Sequence, residues 1–426
     1  MSYADLSREE LETLKAALEA EYAEHCAKGL SLNMARGKPG ADQLALSLPM
    51  LDCVNATTEL FAENGTDCRN YGVMDGIPEA KRLMASIMDH DPERVCVFGN
   101  SSLNIMYDLV SHGMLYGYLG APAWKTLSEV AWICPSPGYD RHFAICEQLG
   151  IRMIPVKMTE TGPDMDEVER IAASDASVKG IWCVPQYSNP TGAVYSDDVV
   201  SRLASMECAA EDFRIFWDNA YCVHHLYEGR EAHVADIAAA CEAAGNPDRY
   251  FKFASTSKVT FPGAGIAAVA ASAANIAEIK ARVGVQTVGY DKLNQLRHVR
   301  FLHDAEGVAE HMKKHAAIIA PKFDMVLSML DAGLEGVGAT WSKPDGGYFI
   351  SFEGLPHTAK RTVELAKNAG VTMTGAGATW PYKQDPQDSN IRIAPTLPPT
   401  EELEQAMQVF ICCAKLASVE SLLTEN

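Results

Sequence analysis

The sequence predicts an α/β protein, with a large domain built on a mainly parallel sheet flanked by helices and a smaller α+β domain. Three observations predict it. Short β-rich runs alternate with helical segments from about residue 70 onward. The 426-residue length exceeds one ordinary domain and suits two or three. Beyond about residue 301 the pattern changes to one long helical run followed by short strands and helices. Apolar residues make up 47% and charged residues 22%, the balance of a globular chain.

The elements follow in order. Ser7 and Glu10 form a capping box at the start of a first helix, and Leu11, Leu14 and Leu18 share one of its faces. The stretch "LSLNMARGKPGADQLALSLP", rich in Gly and Pro, reads as non-helical. "RVCVFG" then leads into the helix "SLNIMYDLVSHGML", and "AWICPSPGY" into "DRHFAICEQLG". The runs "IRMIPVKM", "GIWCVPQY", "FRIFWDNAY" and "RYFKFAST" supply further strands. Ligands of such a sheet sit beyond the C-terminal ends of its strands. In the tail come a helical run over 301–330, "GGYFISFEG", the helix "TAKRTVELAKNAG", the strand-turn "VTMTGAGATW", "NIRIAPT" and a C-terminal helix.

Charge and cysteine usage narrow the function classes. Lys and Arg total 36 against 56 for Asp and Glu, a net charge of −20. That argues against nucleic acid or an anionic membrane as partner, while leaving room for a local basic pocket that takes an anionic substrate. The 12 cysteines are scattered, with no CxxC, and read as reduced thiols filling the core. The N-terminus is acidic and helical, unlike a signal peptide, and no apolar run reads as approaching the ~18 residues of a membrane span. A soluble, cytoplasmic protein is expected. No metal is expected either. His311 and His315 in "HMKKH" lack the glutamate of HExxH and read as surface histidines, and His224 and His225 are adjacent and share no helical face. "TGAGAT" lacks a third glycine and reads as a turn, and no GxxxxGK[ST] occurs.

Several polar residues fall at predicted strand ends. "VFGNSS" (97–102) puts Asn100 and Ser101 at a helix start, as an anion site or simply a cap. "VPQYSNPTG" carries Asn189 in a turn, and "FRIFWDNAY" ends in Asp218 with Tyr221 three residues on. In "FASTSKVTFPGAGIA", Lys258 lies between small hydroxylated residues and a Pro-Gly turn, flanks that suit a backbone brought close to an anion. Each signal alone is weak. In order, "NPTG" (189–192), "WDNAY" (217–221), "STSK" (255–258) and "IRIAP" (391–395) are specific, together with "YGVMDGIPEAKRLM" (71–84) and "GGYF" (346–349). The chain resembles the fold-type I pyridoxal-phosphate enzymes, specifically class I aminotransferases, over nearly its whole length. Its "ARGKPG" and "PGYDRHF" bring it closest to an atypical branch of aspartate aminotransferases.

The resemblance implies a role for each residue. Lys258 forms a Schiff base with the aldehyde of pyridoxal 5'-phosphate and shuttles the proton between Cα and C4′. Asp218 keeps the pyridine nitrogen protonated, with His142 near it, and Asn189 and Tyr221 hydrogen-bond the ring O3′. Tyr139 stacks on the ring. Asn100, Ser101, Ser255 and Ser257 hold the phosphate, and Tyr71 reaches it from the neighbouring subunit of a homodimer with shared sites. Arg392 clamps the substrate α-carboxylate with a planar fork. Residues 48–310 are expected as the large domain, with 1–47 and 311–426 as the small one.

One departure stands out. The family carries an arginine seven or eight residues after the lysine, paired with the phosphate, where this chain has Gly265 and Ile266. Backbone N–H groups of "PGAG" and a cation from "GYDKLNQLRHVRF" are expected instead, Lys292 first and Arg297 second, because the corresponding family segment crosses into the partner's site. For the substrate, Arg36 with Gly37, and Arg141 two residues after Tyr139, are the candidate readers of a distal carboxylate. They point to aspartate or glutamate, with a 2-oxo acid such as 2-oxoglutarate as acceptor in a ping-pong reaction. An aromatic or kynurenine-like amino acid, or a β-lyase reaction on the same scaffold, is the alternative.

Overall fold

A computed structural model describes residues 2–425. Its centre is an eight-stranded sheet in the order Val95–Val97, Ala267–Ala271, Tyr250–Ser255, Arg214–Asp218, Val178–Cys183, Ala131–Ser136, Arg152–Thr159, Gly162–Pro163. The five strands from Tyr250–Ser255 to Arg152–Thr159 are parallel to one another, and Ala267–Ala271 runs against both of its neighbours. Every residue of Ala131–Ser136, Val178–Cys183 and Arg214–Asp218 is buried. Strands covered by helices on both faces have no solvent side, so their apolar runs are continuous rather than alternating. One face packs Trp132, Trp182, Phe216, Phe251 and Phe253; the other packs Ile133, Val156, Ile215, Trp217 and Tyr250.

A second core joins both ends of the chain. The first helix, Arg8–Ala27, has the expected capping box and buries Leu11 and Leu18. These pack with Phe323, Leu330, Phe352, Met407 and Phe410. Here Thr340–Trp341, Ile350–Glu353 and Asn390–Ile393 form an antiparallel sheet, and Leu32–Asn33 pairs in parallel with Val371–Thr372.

Four expectations need correction. The Gly- and Pro-rich stretch contains a short helix, Ala41–Ala45, because the Gln43 side chain accepts the Gly40 N–H and caps it. The helical run after residue 301 is two helices, Lys292–Leu302 and Ala305–Gly333, broken at His303 with φ 62° and restarted by the Asp304 cap. The 310/311 boundary therefore falls inside a continuous helix. His311 and His315 are buried, not on the surface, because their helix turns that face toward the lysine loop. Finally, Thr400–Thr424 is long and apolar enough to cross a membrane, with a mean hydropathy of 1.5 over its best window. That window is 61% buried, against the N-terminal helix among others, as the core helix of a globular unit. All 12 cysteines are free thiols.

Candidate active site

Asp218, Ser255 and the turn after Cys183 stand at the C-terminal ends of neighbouring parallel strands. Loops from the second core close over them and enclose a cavity of about 590 Å³. Arg36, Gly37, Ser101, Tyr139, Arg141, Asn189, Asp218, Tyr221, Ser255, Ser257, Lys258 and Arg392 all line it, brought together from seven regions of the sequence.

Asp218 is 2% exposed. Its Oδ2 accepts a hydrogen bond from His142 Nε2 at 2.9 Å. His142 lies in the first turn of the helix Asp140–Gln148, is stacked on Trp182 at 4.5 Å and meets the edge of Tyr139 at 4.9 Å. A carboxylate only accepts, so the imidazole keeps its proton on Nε2. Asp218 Oδ1 is buried and has no partner among the described residues. A bare carboxylate oxygen in the interior is costly, so this atom calls for a donor from within the cavity.

The Lys258 Nζ lies 4.8 Å from the centre of the Tyr221 ring. Burial pushes the amine pKa down, and the Asp218 charge opposes that shift. Burial also drives the Tyr221 phenol well above its ordinary value. Both groups are thus held toward their neutral forms.

Arg392 sits on the strand Asn390–Ile393, 7% exposed, with its guanidinium 4.7 Å over the Phe349 ring. Its Nη1 donates to Asp140 Oδ1 at 2.9 Å and Asn189 Oδ1 at 3.2 Å. Its Nε is buried without a partner among the described residues. Arg36 and Arg141 are exposed to the cavity mouth, and neither has a carboxylate partner among the described residues.

At the other end the hydroxyls converge. Ser101 caps the helix Ser102–Tyr116, accepting from the Asn104 N–H at 3.4 Å. Ser255 donates to Ser257 at 3.1 Å, and Ser257 to the Asn100 carbonyl at 3.1 Å. A helix N-terminus beside three hydroxyls is a ready anion site. Asn100 itself does not line the cavity; its amide donates to the Pro262 carbonyl at 3.1 Å and steadies the lysine turn.

Within one chain, neither candidate for the substitute cation lines the cavity. Lys292 is 4% exposed and donates to the Gly72 carbonyl at 2.9 Å, outside the cavity of its own chain. A buried ammonium must satisfy its donors, and this turn carbonyl supplies an acceptor. Arg297 lies behind the Pro-Gly turn, bonded to Asn294 and 3.5 Å from the Ala264 carbonyl. Ile266, where the family has arginine, is 1% exposed and part of the core. Neutral groups hold this turn: Thr256 accepts the Ile266 N–H, and Asn294 donates to the Gly265 carbonyl. Tyr71 is 83% exposed and does not line the cavity of its own chain.

Lys38, Asp140, Phe349 and Thr374 also line the cavity and were not singled out. Asp140 and Phe349 lie inside "PGYDRHF" and "GGYF", so their motifs already carried them. Thr374, 3.4 Å from Arg392 Nη2, opens "TGAGAT", a stretch that reads in the sequence only as a turn. Together these groups fit a phosphorylated pyridine aldehyde: an amine for the aldehyde, a bare carboxylate oxygen for a ring N–H, and hydroxyls at a helix N-terminus for the phosphate.

Comparison with known proteins agrees with this chemistry. The family model described as aspartate amino-transferase matches residues 6–426. An aspartate aminotransferase of Corynebacterium glutamicum is 45% identical over 99% of this chain and 97% of its own. A crystal structure of an aspartate transaminase from the same species superposes with a TM-score of 0.96 at 44% identity, covering 99% of both chains. Aspartate aminotransferase from Thermus thermophilus, at 19% identity, a TM-score of 0.66 and 93% and 95% coverage, shares the fold alone.

Proposed function

The chain belongs to the aspartate amino-transferase family and is an aminotransferase, and from this premise we propose that aspartate or glutamate donates the amino group. A 2-oxo acid then takes it up in the second of two ping-pong half-reactions. One observation carries the reading: a single cavity holds the buried fork of Arg392 near Lys258, with Arg36 and Arg141 at its mouth lacking carboxylate partners. A cation set of this size around an anion-sized space favours a substrate with two carboxylates.

Bound pyridoxal 5'-phosphate supplies an aldehyde that bonds amines and a ring that draws the electron pair from the substrate Cα. The chain does the rest. Lys258 would tether the cofactor, and its amine, whose pKa burial lowers, would carry the proton between Cα and C4′. Asp218 accepts the ring N–H on its bare Oδ1, while His142 fixes the carboxylate from behind. Tyr221 and Asn189 bind the ring oxygen, and Tyr139 covers the ring. Ser101, Ser255 and Ser257 hold the phosphate, with Asn100 steadying the turn. Arg392 grips the α-carboxylate, which competes with Asp140 for Nη1. Arg36, with the Gly37 backbone, and Arg141 read the distal carboxylate. Residues 48–310 form the cofactor-binding part, and 1–47 with 311–426 the part that closes on substrate, the helix Ala305–Gly333 running through the boundary between them.

A homodimer with shared sites belongs to the same reading. Leu48, Leu51, Phe61, Tyr116 and Val285 are exposed apolar residues of the kind a partner covers. Tyr71 then reaches the partner's phosphate.

The test is an absorbance titration of the holoenzyme with L-aspartate. Loss of the visible cofactor band, restored by 2-oxoglutarate, is expected. A band indifferent to aspartate and glutamate but consumed by another amino acid would retire Arg36 and Arg141 as dicarboxylate readers.

A further inference from the structure

Behind Lys258 lies a buried polar cluster that the chemistry above does not use. The Val259 carbonyl is 2.8 Å from His311 Nε2, and His315 Nε2 lies 3.2 Å from that same nitrogen. Ser47 Oγ lies 3.4 Å from the same oxygen and 3.2 Å from His311 Nε2. A carbonyl only accepts, so His311 presents an Nε2–H to it, and His315, whose Nδ1 faces the Gln43 amide donor, carries its proton on Nε2. Gln43 fixes the rest. Its Oε1 accepts the Gly40 N–H at 3.0 Å, which turns its Nε2 to His315 Nδ1 at 3.1 Å and to Tyr348 Oη at 2.9 Å. Tyr348, accepting from Gln43, donates onward to the Lys258 carbonyl at 3.4 Å. Gln43, Ser47 and His315 are fully buried, and Tyr348 and His311 nearly so.

The cluster therefore grips two consecutive carbonyls, those of the reacting lysine and its neighbour, from three directions. The long helix brings His311 and His315, the "GGYF" turn brings Tyr348, and the N-terminal segment brings Gln43. Gly40, which Gln43 caps, is four residues from Arg36 and three from Gly37, both on the cavity wall. A tug on that loop is thus one hydrogen bond away from the residue that seats the lysine. Fully satisfied buried networks make discrete, rigid arrangements. An amine that must serve as both tether and proton carrier is sensitive to misplacement of about 1 Å.

We propose that Gln43, His311 and His315 are positioning residues for Lys258, locking its backbone through Val259 and Tyr348 and joining its seat to the loop that carries Arg36. This rests on Lys258 as the reacting amine. The test uses the holoenzymes of wild type, Gln43→Met and Tyr348→Phe. Gln43→Met removes both side-chain donors at similar volume; Tyr348→Phe removes one hydroxyl and keeps the ring, so it folds if the first does not. Three quantities are measured: the single-turnover rate of band loss with amino acid, its half-saturating concentration, and the pH midpoint of the visible band. The groups that face the amine, Asp218, Tyr221 and His224, stay unchanged in both variants.

The expected result for Gln43→Met is a maximal rate lowered about 10- to 100-fold, a half-saturation changed far less, and a displaced band midpoint. Tyr348→Phe should show the same signature more weakly. Variants that melt earlier but keep the wild-type rate and midpoint would overturn the proposal and leave the cluster merely structural. A wild-type enzyme whose band responds to no amino acid would instead overturn the role of Lys258.

Discussion

Asp218 combines two features that a buried carboxylate seldom shows together: one oxygen tied to a histidine, the other bare. That asymmetry is the structural form of its proposed role, and it yields a prediction. Asp218→Asn keeps the shape but places an amide where the ring N–H must be accepted by a full charge. Turnover should fall at least about 100-fold with the fold intact, as steady-state rates and thermal melts on the same preparation would read. A loss of less than tenfold would remove Asp218 from the chemistry. Residues of this kind were legible because the chemistry dictates their type and the strand ends dictate their place. The contact that Lys292 makes within its own chain was not legible. Its partner is a backbone carbonyl 220 residues away in sequence, and backbone acceptors carry no side-chain signature. A lysine that looks like a surplus cation in the sequence is a buried strut in the structure.

At the scale of elements, two helices turn histidines inward. His298, on Lys292–Leu302, donates from Nδ1 to the Asn294 carbonyl and accepts on Nε2 from Thr260 at 2.9 Å. His315, on Ala305–Gly333, accepts on Nδ1 from Gln43. Burial is the leading cause that lowers both rings to about 4. The direction of the consequence follows from proton counting. Between about pH 6.5 and pH 4 the unfolded chain binds protons on these rings that the folded chain refuses, so stability falls as pH falls through that window. Each ring accounts for about 3 kcal/mol at full extent. Urea unfolding should thus show a clearly lower midpoint near pH 5 than near pH 7, and His298→Gln should flatten the difference. Equal slopes with pH in variant and wild type would mean that other groups dominate the acid response. The spacing of His311 and His315 was visible in the sequence, but which face of the helix met the core was not. A charged, alanine-rich helix without a strong apolar stripe leaves that choice to its neighbours.

At the scale of the whole molecule, the alternation of strands and helices made the sheet legible, because burial on both faces writes itself as continuous apolar runs. The closing unit was harder, since it is assembled from both ends of the chain, and its N-terminal piece carries Arg36 and Gln43 on a segment whose composition reads as a loop. The least legible feature is what lies outside one chain. Tyr71 is exposed on a turn, and Lys292 holds the carbonyl of the very next residue, so the turn is braced from beneath while its side chain faces outward. In the proposed homodimer that brace aims Tyr71 at the partner's phosphate, and a genetic test reads it directly. Lys258→Ala abolishes the site of its own chain; Tyr71→Ala weakens the site of its partner. Co-expressed, the two chains form hybrids in which one site has both residues intact and the other has neither. About a quarter of all sites should then work like wild type, more than the mean of the two parent homodimers. If Tyr71 served its own chain instead, every hybrid site would carry one defect. The co-expressed mixture would then show only that mean.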